Sequence, residues 1–328
     1  MYPWGYIDWL LPKIGVDKWH MIGSSSFEER CGGVLSWTLK HDLLKSFSLI
    51  NIENPSSEMW DVAVPLVEQQ REKLKLELYK SGVACAEINV KLLGSVGSAL
   101  KTHTLNPDSH KSVLLDISTL PKRYFLFALK QLLNNNVIHN LVVTYTRAAA
   151  YPEEILCENA LPPASLQGFG RVEPHGGKPR IAIGVGYMPL SVDELMEQAK
   201  KAKLDFIFPF PPASPAFRRN WNLLAMLMPT DIPRDTEIHR IHGMDAFEVH
   251  ARTVVWGRNR DLDLIPLGPK PHALGMAMTY LRLDSHANII YPQPQIYNPF
   301  YSKGIAVLPS GEPAIVAYCL KKDGKQTF

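Results

Sequence analysis

The stretch from residue 262 to 295 constrains the fold of this chain more than any other. It begins with Leu262-Asp263-Leu264-Ile265-Pro266-Leu267, an apolar run of the kind that fills a buried strand. Gly268-Pro269-Lys270-Pro271 interrupts the run. Apolar residues then return at helical spacing over 272–283, and Ala287-Asn288-Ile289-Ile290-Tyr291 reads as a second strand. A strand, a tight polar loop, a helix and a strand make one parallel crossover unit. Sheets built from such units bind small ligands beyond the carboxyl ends of their strands, and here that edge carries Gly268 and Lys270.

The same alternation recurs along the chain. Strand patterns fall at 19–23, 46–52, 83–90, 112–119 and 139–146, with helical patterns between them. The longest helical pattern, 58–80, sets Trp60, Val64, Val67, Leu74 and Leu78 on one side and charges on the other. Beyond it, strands at 180–186, 204–210 and 237–242 alternate with helices at 190–203, 217–228 and 246–256. A hairpin is expected at the end, 304–309 with 313–319 across Ser310-Gly311-Glu312. The fold class this predicts is α/β, with two doubly wound, mostly parallel Rossmann-like sheets and helices on both faces. Residues 152–178, rich in proline and glycine, read as a connection between an N-terminal domain at 1–151 and a C-terminal domain at 179–328. Residues 1–18 read as an irregular arm whose Trp4, Tyr6 and Trp9 either pack on the first domain or meet a protein partner.

Charge and composition narrow the function. With 35 Lys and Arg against 32 Asp and Glu, the net charge of +3 lacks the excess expected of a chain whose main partner is nucleic acid. No apolar run reaches the roughly 18 residues of a membrane span, and the first residues lack the pattern of a secretion signal. Cys31, Cys85, Cys157 and Cys319 lie far apart, without zinc or redox spacing, so reduced thiols in a cytoplasmic protein are expected.

The polar candidates gather at the expected strand ends. In the first half they are Ser24, Ser25, Ser26, Glu28 and Arg30, then Asp116, Ser118, Thr119 and Lys122, then Tyr145, Arg147 and Tyr151. In the second half they are Gly184, Val185, Gly186 and Tyr187, then Arg218, Arg219 and Asn220, then Gly268, Lys270 and His272. Glycine lets backbone approach a ligand, and lysine supplies a compact charge suited to phosphate. Helix capping would also explain the serines, since Ser25 with Glu28 or Ser26 with Glu29 has the spacing of a capping box. Asp116, Lys122 and Glu28 are the candidates for acid–base chemistry if burial shifts their ionisation. Gly184-Val185-Gly186 lacks the third glycine of a dinucleotide fingerprint, so no cofactor is expected. No metal site is expected either, because His239, His242 and His250 form no ligand spacing and His239 and His242 alternate with Ile238 and Ile241 on a strand. The run Arg218-Arg219-Asn220-Trp221-Asn222 could grip a nucleic-acid strand, a reading the small net charge does not favour.

Two of these loops resemble a known family. Leu267-Gly268-Pro269-Lys270, with Gly275 following, is similar to the Gly-Thr-Lys loop of CRISPR-associated Rossmann-fold (CARF-like) sensor domains, with Pro269 in place of the threonine. The Ser24-Ser25-Ser26 loop resembles the first ligand loop of that family. The resemblance implies a self-associating domain that binds cyclic oligonucleotides. The leading expectation is therefore a nucleotide-binding sensor or subunit of a prokaryotic defence-type assembly, forming homo-oligomers. The alternatives are an enzyme acting on a nucleotide or nucleic-acid substrate and a structural adaptor that uses the aromatic arm.

Overall fold

The computed structural model describes residues 3–152, 157–174, 176–186, 202–211, 222, 225, 235–283 and 286–328. Most of the expected helices at 190–203 and 217–228 lies outside this set, as do Tyr187, Arg218, Arg219 and Asn220. The main strands are β1 (Trp4–Tyr6), β2 (Trp19–Ser24), β3 (Leu44–Glu53), β4 (Ala84–Lys91), β5 (Ser112–Asp116), β6 (Asn140–Thr146), β7 (Arg180–Gly184), β8 (Lys203–Pro209), β9 (Glu237–Ile241), β10 (Leu262–Pro266), β11 (Ala287–Tyr291) and β12 (Ile315–Lys322). The main helices are α1 (Ile7–Ile14), α2 (Gly33–Lys40), α3 (Trp60–Ser81), α4 (Lys122–Asn134), α5 (Ala246–Gly257) and α6 (Lys270–Leu283). The protein is an α/β protein of mostly parallel strands in two compact units, residues 1–152 with 298–328 and residues 153–297.

Both sheets are wound in the same sense. In the first unit the order is β1-β12-β6-β5-β2-β3-β4, so the five parallel strands from β2 to β6 stand in the order 3-2-1-4-5 counted from the first. In the second unit β9-β8-β7-β10-β11 repeats that order, with the short strand Ala164–Ser165 added antiparallel at the edge. Strand order therefore reverses between β2 and β5 in one unit and between β7 and β10 in the other. Near-continuous burial of the central strands follows from this winding, since strands covered on both faces must be apolar throughout.

Two parts of the chain differ from the sequence reading. The last segment joins the first sheet: β12 pairs antiparallel with β6, Ile315 opposite Thr146, instead of closing a hairpin within the second half. The turn at Ser310-Gly311-Glu312 does form, closed by the bridge between Val307 and Pro313, but Lys303–Ile305 pairs with Ala148–Ala150. Burial decides the placement of β12, because seven of its eight residues are buried between β6 and β1. The N-terminal arm is likewise regular. β1 pairs with β12, Trp4 stacks on Tyr318, and α1 buries Ile7, Leu10, Leu11 and Ile14 in the first core. Tyr6 and Trp9 are exposed on it, and Lys13 Nζ covers the Trp9 ring at 3.5 Å. Within 152–178 the described residues supply Cys157–Ala160, paired with Pro294–Tyr297, and Ala164–Ser165, paired with β11.

His20, near the start of β2, gives the first sheet a pH dependence. It is buried, its Nδ1 is 2.8 Å from Ser46 Oγ, and its Nε2 donates to the Leu105 carbonyl at 2.8 Å. Burial pushes its pKa down from 6.5 to about 4, aided by the His110 ring stacked on it. Unfolding releases the imidazole to its ordinary value, so stability falls as pH drops from about 6.5 to about 4 and levels off below. That gap corresponds to roughly 3 kcal/mol. The expected result is a urea midpoint that falls between pH 7 and pH 4.5, with a smaller fall in His20→Asn. Equal falls in both proteins would assign the effect elsewhere, for instance to His250, which burial also holds at about 4.

Candidate functional site

The winding brings the first unit's polar candidates to one edge. Ser24 ends β2, and its Oγ meets Thr119 Oγ1 at 3.0 Å across the reversal between β2 and β5. Behind them Asp116 Oδ1 accepts from the Ser118 amide at 3.0 Å and from its hydroxyl, while Ser118 Oγ accepts from the Thr146 amide at 2.7 Å. Asp116 and Ser118 are thus buried and tie the ends of β5 and β6 together. Lys122 is buried at the first turn of α4.

Glu28 and Arg30 form a second buried group. Arg30 Nε donates to Glu28 Oε2 at 2.8 Å, and its Nη1 donates to the Tyr145 hydroxyl at 3.1 Å and to the Thr146 carbonyl at 3.4 Å. The Ser302 hydroxyl donates to the same Glu28 oxygen, and Tyr151 lies 3.1 Å from Tyr145, oxygen to oxygen. Burial first, and the neighbouring Tyr145 next, push the Tyr151 phenol well above its usual range, so it stays neutral. This group locks the loop after β2 to the end of β6 and to the segment carrying Ser302. It also explains why residues 298–328 belong with the first unit. Glu28 and Asp116, two candidates for acid–base chemistry, are engaged inside the protein.

The open space lies one strand further out. Ser25, itself buried, donates from Oγ to Asn51 Oδ1 at 2.9 Å, and Asn51 Nδ2 donates to Glu87 at 2.9 Å and Asn89 at 3.0 Å. Asn51 and Asn89 line a cavity of about 470 Å³ beyond the carboxyl ends of β3 and β4. That volume is in the range of small-molecule sites, roughly 300–1,000 Å³. Its other wall is α3, which offers Trp60, Val64, Val67 and Arg71 at helical spacing. Glu53 and Lys91 stand at the strand ends. Among the described residues no hydrogen-bond partner meets Arg71 Nε, although that atom is shielded from solvent.

The sequence signal for this wall is the apolar stripe of α3. The stripe is continuous in the sequence, yet only its later part, Leu74 and Leu78, reaches the core. Trp60, Val64 and Val67 stay half-buried on the cavity wall because the strands they overlie have ended. Asn51, Glu53, Asn89 and Lys91 carry no local signal. They meet only because β3 and β4 pair in register, Asn51 opposite Asn89 and Glu53 opposite Lys91.

In the second unit the corresponding edge is closed upon itself. A Cβ built on Gly186 would lie 2.1 Å from the Leu267 carbonyl oxygen and 2.7 Å from Gly268 Cα, so the loops after β7 and β10 touch backbone to backbone. Gly184 is less tightly placed: a Cβ there would lie 3.1 Å from Met276 Cε and 3.5 Å from the Gly268 nitrogen. Gly275 serves packing between helices, since a Cβ there would meet the Ala246 oxygen at 2.3 Å. His272 is fully buried on α6 and donates from Nε2 to the His242 carbonyl at 3.0 Å. Lys270 is half-buried at the first residue of that helix.

Fold and site together define a class: a protein of two Rossmann-order sheets whose described cavity opens at the carboxyl edge of the first. No family model and no curated protein matches the chain. A search of solved structures finds distant likenesses. A Type III CRISPR defence DNA nuclease activated by cyclic oligoadenylate is 11% identical with a TM-score of 0.38, over 83% of this chain and 65% of that one. This chain thus spans slightly under two thirds of that nuclease. The cytoplasmic domain of a prokaryotic cation chloride cotransporter is 10% identical, TM-score 0.27, over 85% and 96% of the two chains. A putative universal stress protein from Pseudomonas aeruginosa UCBPP-PA14 is 12% identical, TM-score 0.25, over 87% and 95%. None of these likenesses is close enough to bear on function. No helix among the described residues is long and apolar enough to cross a membrane.

Proposed function

We propose that the first unit binds a nucleotide or a closely related phosphate-bearing molecule in the cavity bounded by α3 and the ends of β3 and β4. The observation that carries this reading is the lining: an indole, three asparagine amides, Glu53 at the end of the second parallel strand with Glu68 on α3, and two cations. Trp60 offers a face for a base to stack on. Asn51 and Asn89 can read polar edges, and Glu53 occupies the strand-end position from which doubly wound folds bind a ribose hydroxyl. Arg71 and Lys91 suit a phosphate. Binding without turnover fits best, because Glu28 and Asp116 are committed to internal hydrogen bonds. A sensor or assembly subunit of defence type, cytoplasmic and self-associating, is the role in keeping with the loop resemblance at Ser24-Ser25-Ser26 and Gly268-Pro269-Lys270.

Calorimetric titration with ATP, AMP and a cyclic oligoadenylate tests this. One of the three is expected to bind saturably and to be recovered unchanged after incubation. Arg71→Ala should weaken that binding by about 1.5–3 kcal/mol, the range for a charged hydrogen bond. Trp60→Ala should weaken it by about 1–3 kcal/mol through lost stacking. Folding should change little in Arg71→Ala. If both variants bind like the parent and Lys270→Ala does not, the site belongs to the second unit. Saturation by none of the three would remove the nucleotide reading.

A further inference from the structure

The second unit carries a cluster that the proposed nucleotide site does not use. Asp205 of β8 and Glu237 and His239 of β9 converge on the amino-terminal half of the sheet. Register causes this: Asp205 stands opposite Glu237, and His239 points to the same face two residues on. Asp205 is fully buried, His239 is partly buried, and the Glu237 carboxylate is 55% exposed.

Each carboxylate holds a cation with one oxygen and turns the other to His239. Arg180 Nε donates to Asp205 Oδ2 at 2.6 Å, and Lys203 Nζ donates to Glu237 Oε1 at 3.1 Å. The remaining oxygens, Asp205 Oδ1 and Glu237 Oε2, lie 3.3 and 3.4 Å from His239 Nε2. The Asp205 contact is a hydrogen bond, yet both separations are longer than the about 2.7–2.9 Å of charge-assisted ones. They match the spacing of ligands around a tetrahedral zinc: bonds of about 2.0–2.1 Å place neighbouring donors about 3.3–3.4 Å apart.

We infer that Asp205, Glu237 and His239 form a binding site for a divalent transition ion of the zinc class. Three protein ligands leave one tetrahedral position to water, on the side where Glu237 is exposed. Arg180 orients the buried Asp205 carboxylate from behind, and the Trp256 ring, 4.6 Å from the His239 ring, limits its rotation. The imidazole would coordinate through Nε2, the nitrogen that faces both carboxylates. Arg180 and Lys203 oppose a second positive charge, so the affinity expected is moderate. Among the described residues β9 is the edge strand of its sheet, paired with β8, and an ion shared by Asp205, Glu237 and His239 would fasten it there.

Zinc titration of the full chain decides the matter, in a Cys85→Ser background because Cys85 is an exposed thiol that could bind zinc itself. The expected result is one saturable site per chain and a melting temperature that rises with zinc. His239→Ala and Glu237→Gln should each weaken binding about tenfold or more. Lys203→Met, which releases the other Glu237 oxygen, should tighten it. Glu237→Gln changes an exposed side chain, so it remains informative even if His239→Ala folds poorly. Cobalt should give the absorption of a four-coordinate site in the parent and lose it in Glu237→Gln. No saturable zinc binding, or binding undiminished in Glu237→Gln, would overturn the assignment.

Discussion

Glu28→Ala is expected to lower the stability of the protein by about 3–5 kcal/mol, the range seen when one member of a buried ion pair is removed. The reason is the guanidinium left behind. Arg30 is 2% exposed, and its remaining partners, the Tyr145 hydroxyl and the Thr146 carbonyl, are neutral. Neutral partners do not replace a carboxylate for a charge held away from water. Arg30→Met should be costly for the mirror-image reason, since among the described residues it leaves the buried Glu28 carboxylate with the Ser302 hydroxyl. Removing both charges at once should be milder than either single change, because well-packed apolar pairs often match buried ion pairs in stability. Urea denaturation of Glu28→Ala, Arg30→Met and the Glu28→Met/Arg30→Met double variant measures this. Single variants within about 1 kcal/mol of the parent would mean that water reaches the guanidinium and that this group does not hold residues 298–328 to the first unit.

Gly186→Ala should destabilise by about 3 kcal/mol, at the upper end of overpacking effects. The added methyl would lie 2.1 Å from the Leu267 carbonyl oxygen and 2.7 Å from both Leu267 C and Gly268 Cα. All three are backbone atoms, and they follow β10, which is paired on both sides. No flexible side chain can swing aside to admit it. Gly170→Ala provides the comparison, because the nearest atom to its new methyl would be Ser165 Cβ at 3.9 Å, an ordinary contact. That variant should stay within about 0.5 kcal/mol of the parent. Similar melting temperatures for the two variants would show that the loops after β7 and β10 can separate. The edge could then open to a ligand, as the sequence pattern of glycines suggests.

The glycines illustrate a limit of reading residue types. Glycine at a strand end is compatible with close approach of a ligand or of another stretch of backbone, and composition does not distinguish them. Here Gly186 and Gly268 approach each other. The serines divide in a similar way: Ser24 bridges the reversal point and Ser118 ties two strands, while Ser25 is one hydrogen bond from the cavity wall. Asp116 and Glu28 read in the sequence as ionisable groups near a strand edge. They are at that edge, but burial has matched each with partners of its own.

Local patterns in the sequence determined the α/β class, both doubly wound sheets and the carboxyl edge as the place to look, because hydrophobic periodicity is written within a dozen residues and a parallel crossover constrains its own winding. The pairing of distant segments was decided by tertiary structure alone. β12 could have closed a hairpin within its own half, and its apolar pattern suits either partner. It lies against β6 because that interior strand position buries nearly all of it. The cavity wall and the Asp205–Glu237–His239 cluster have the same origin. Asn51 with Asn89, and Asp205 with His239, are brought together by strand register, a long-range quantity to which no spacing along the chain corresponds.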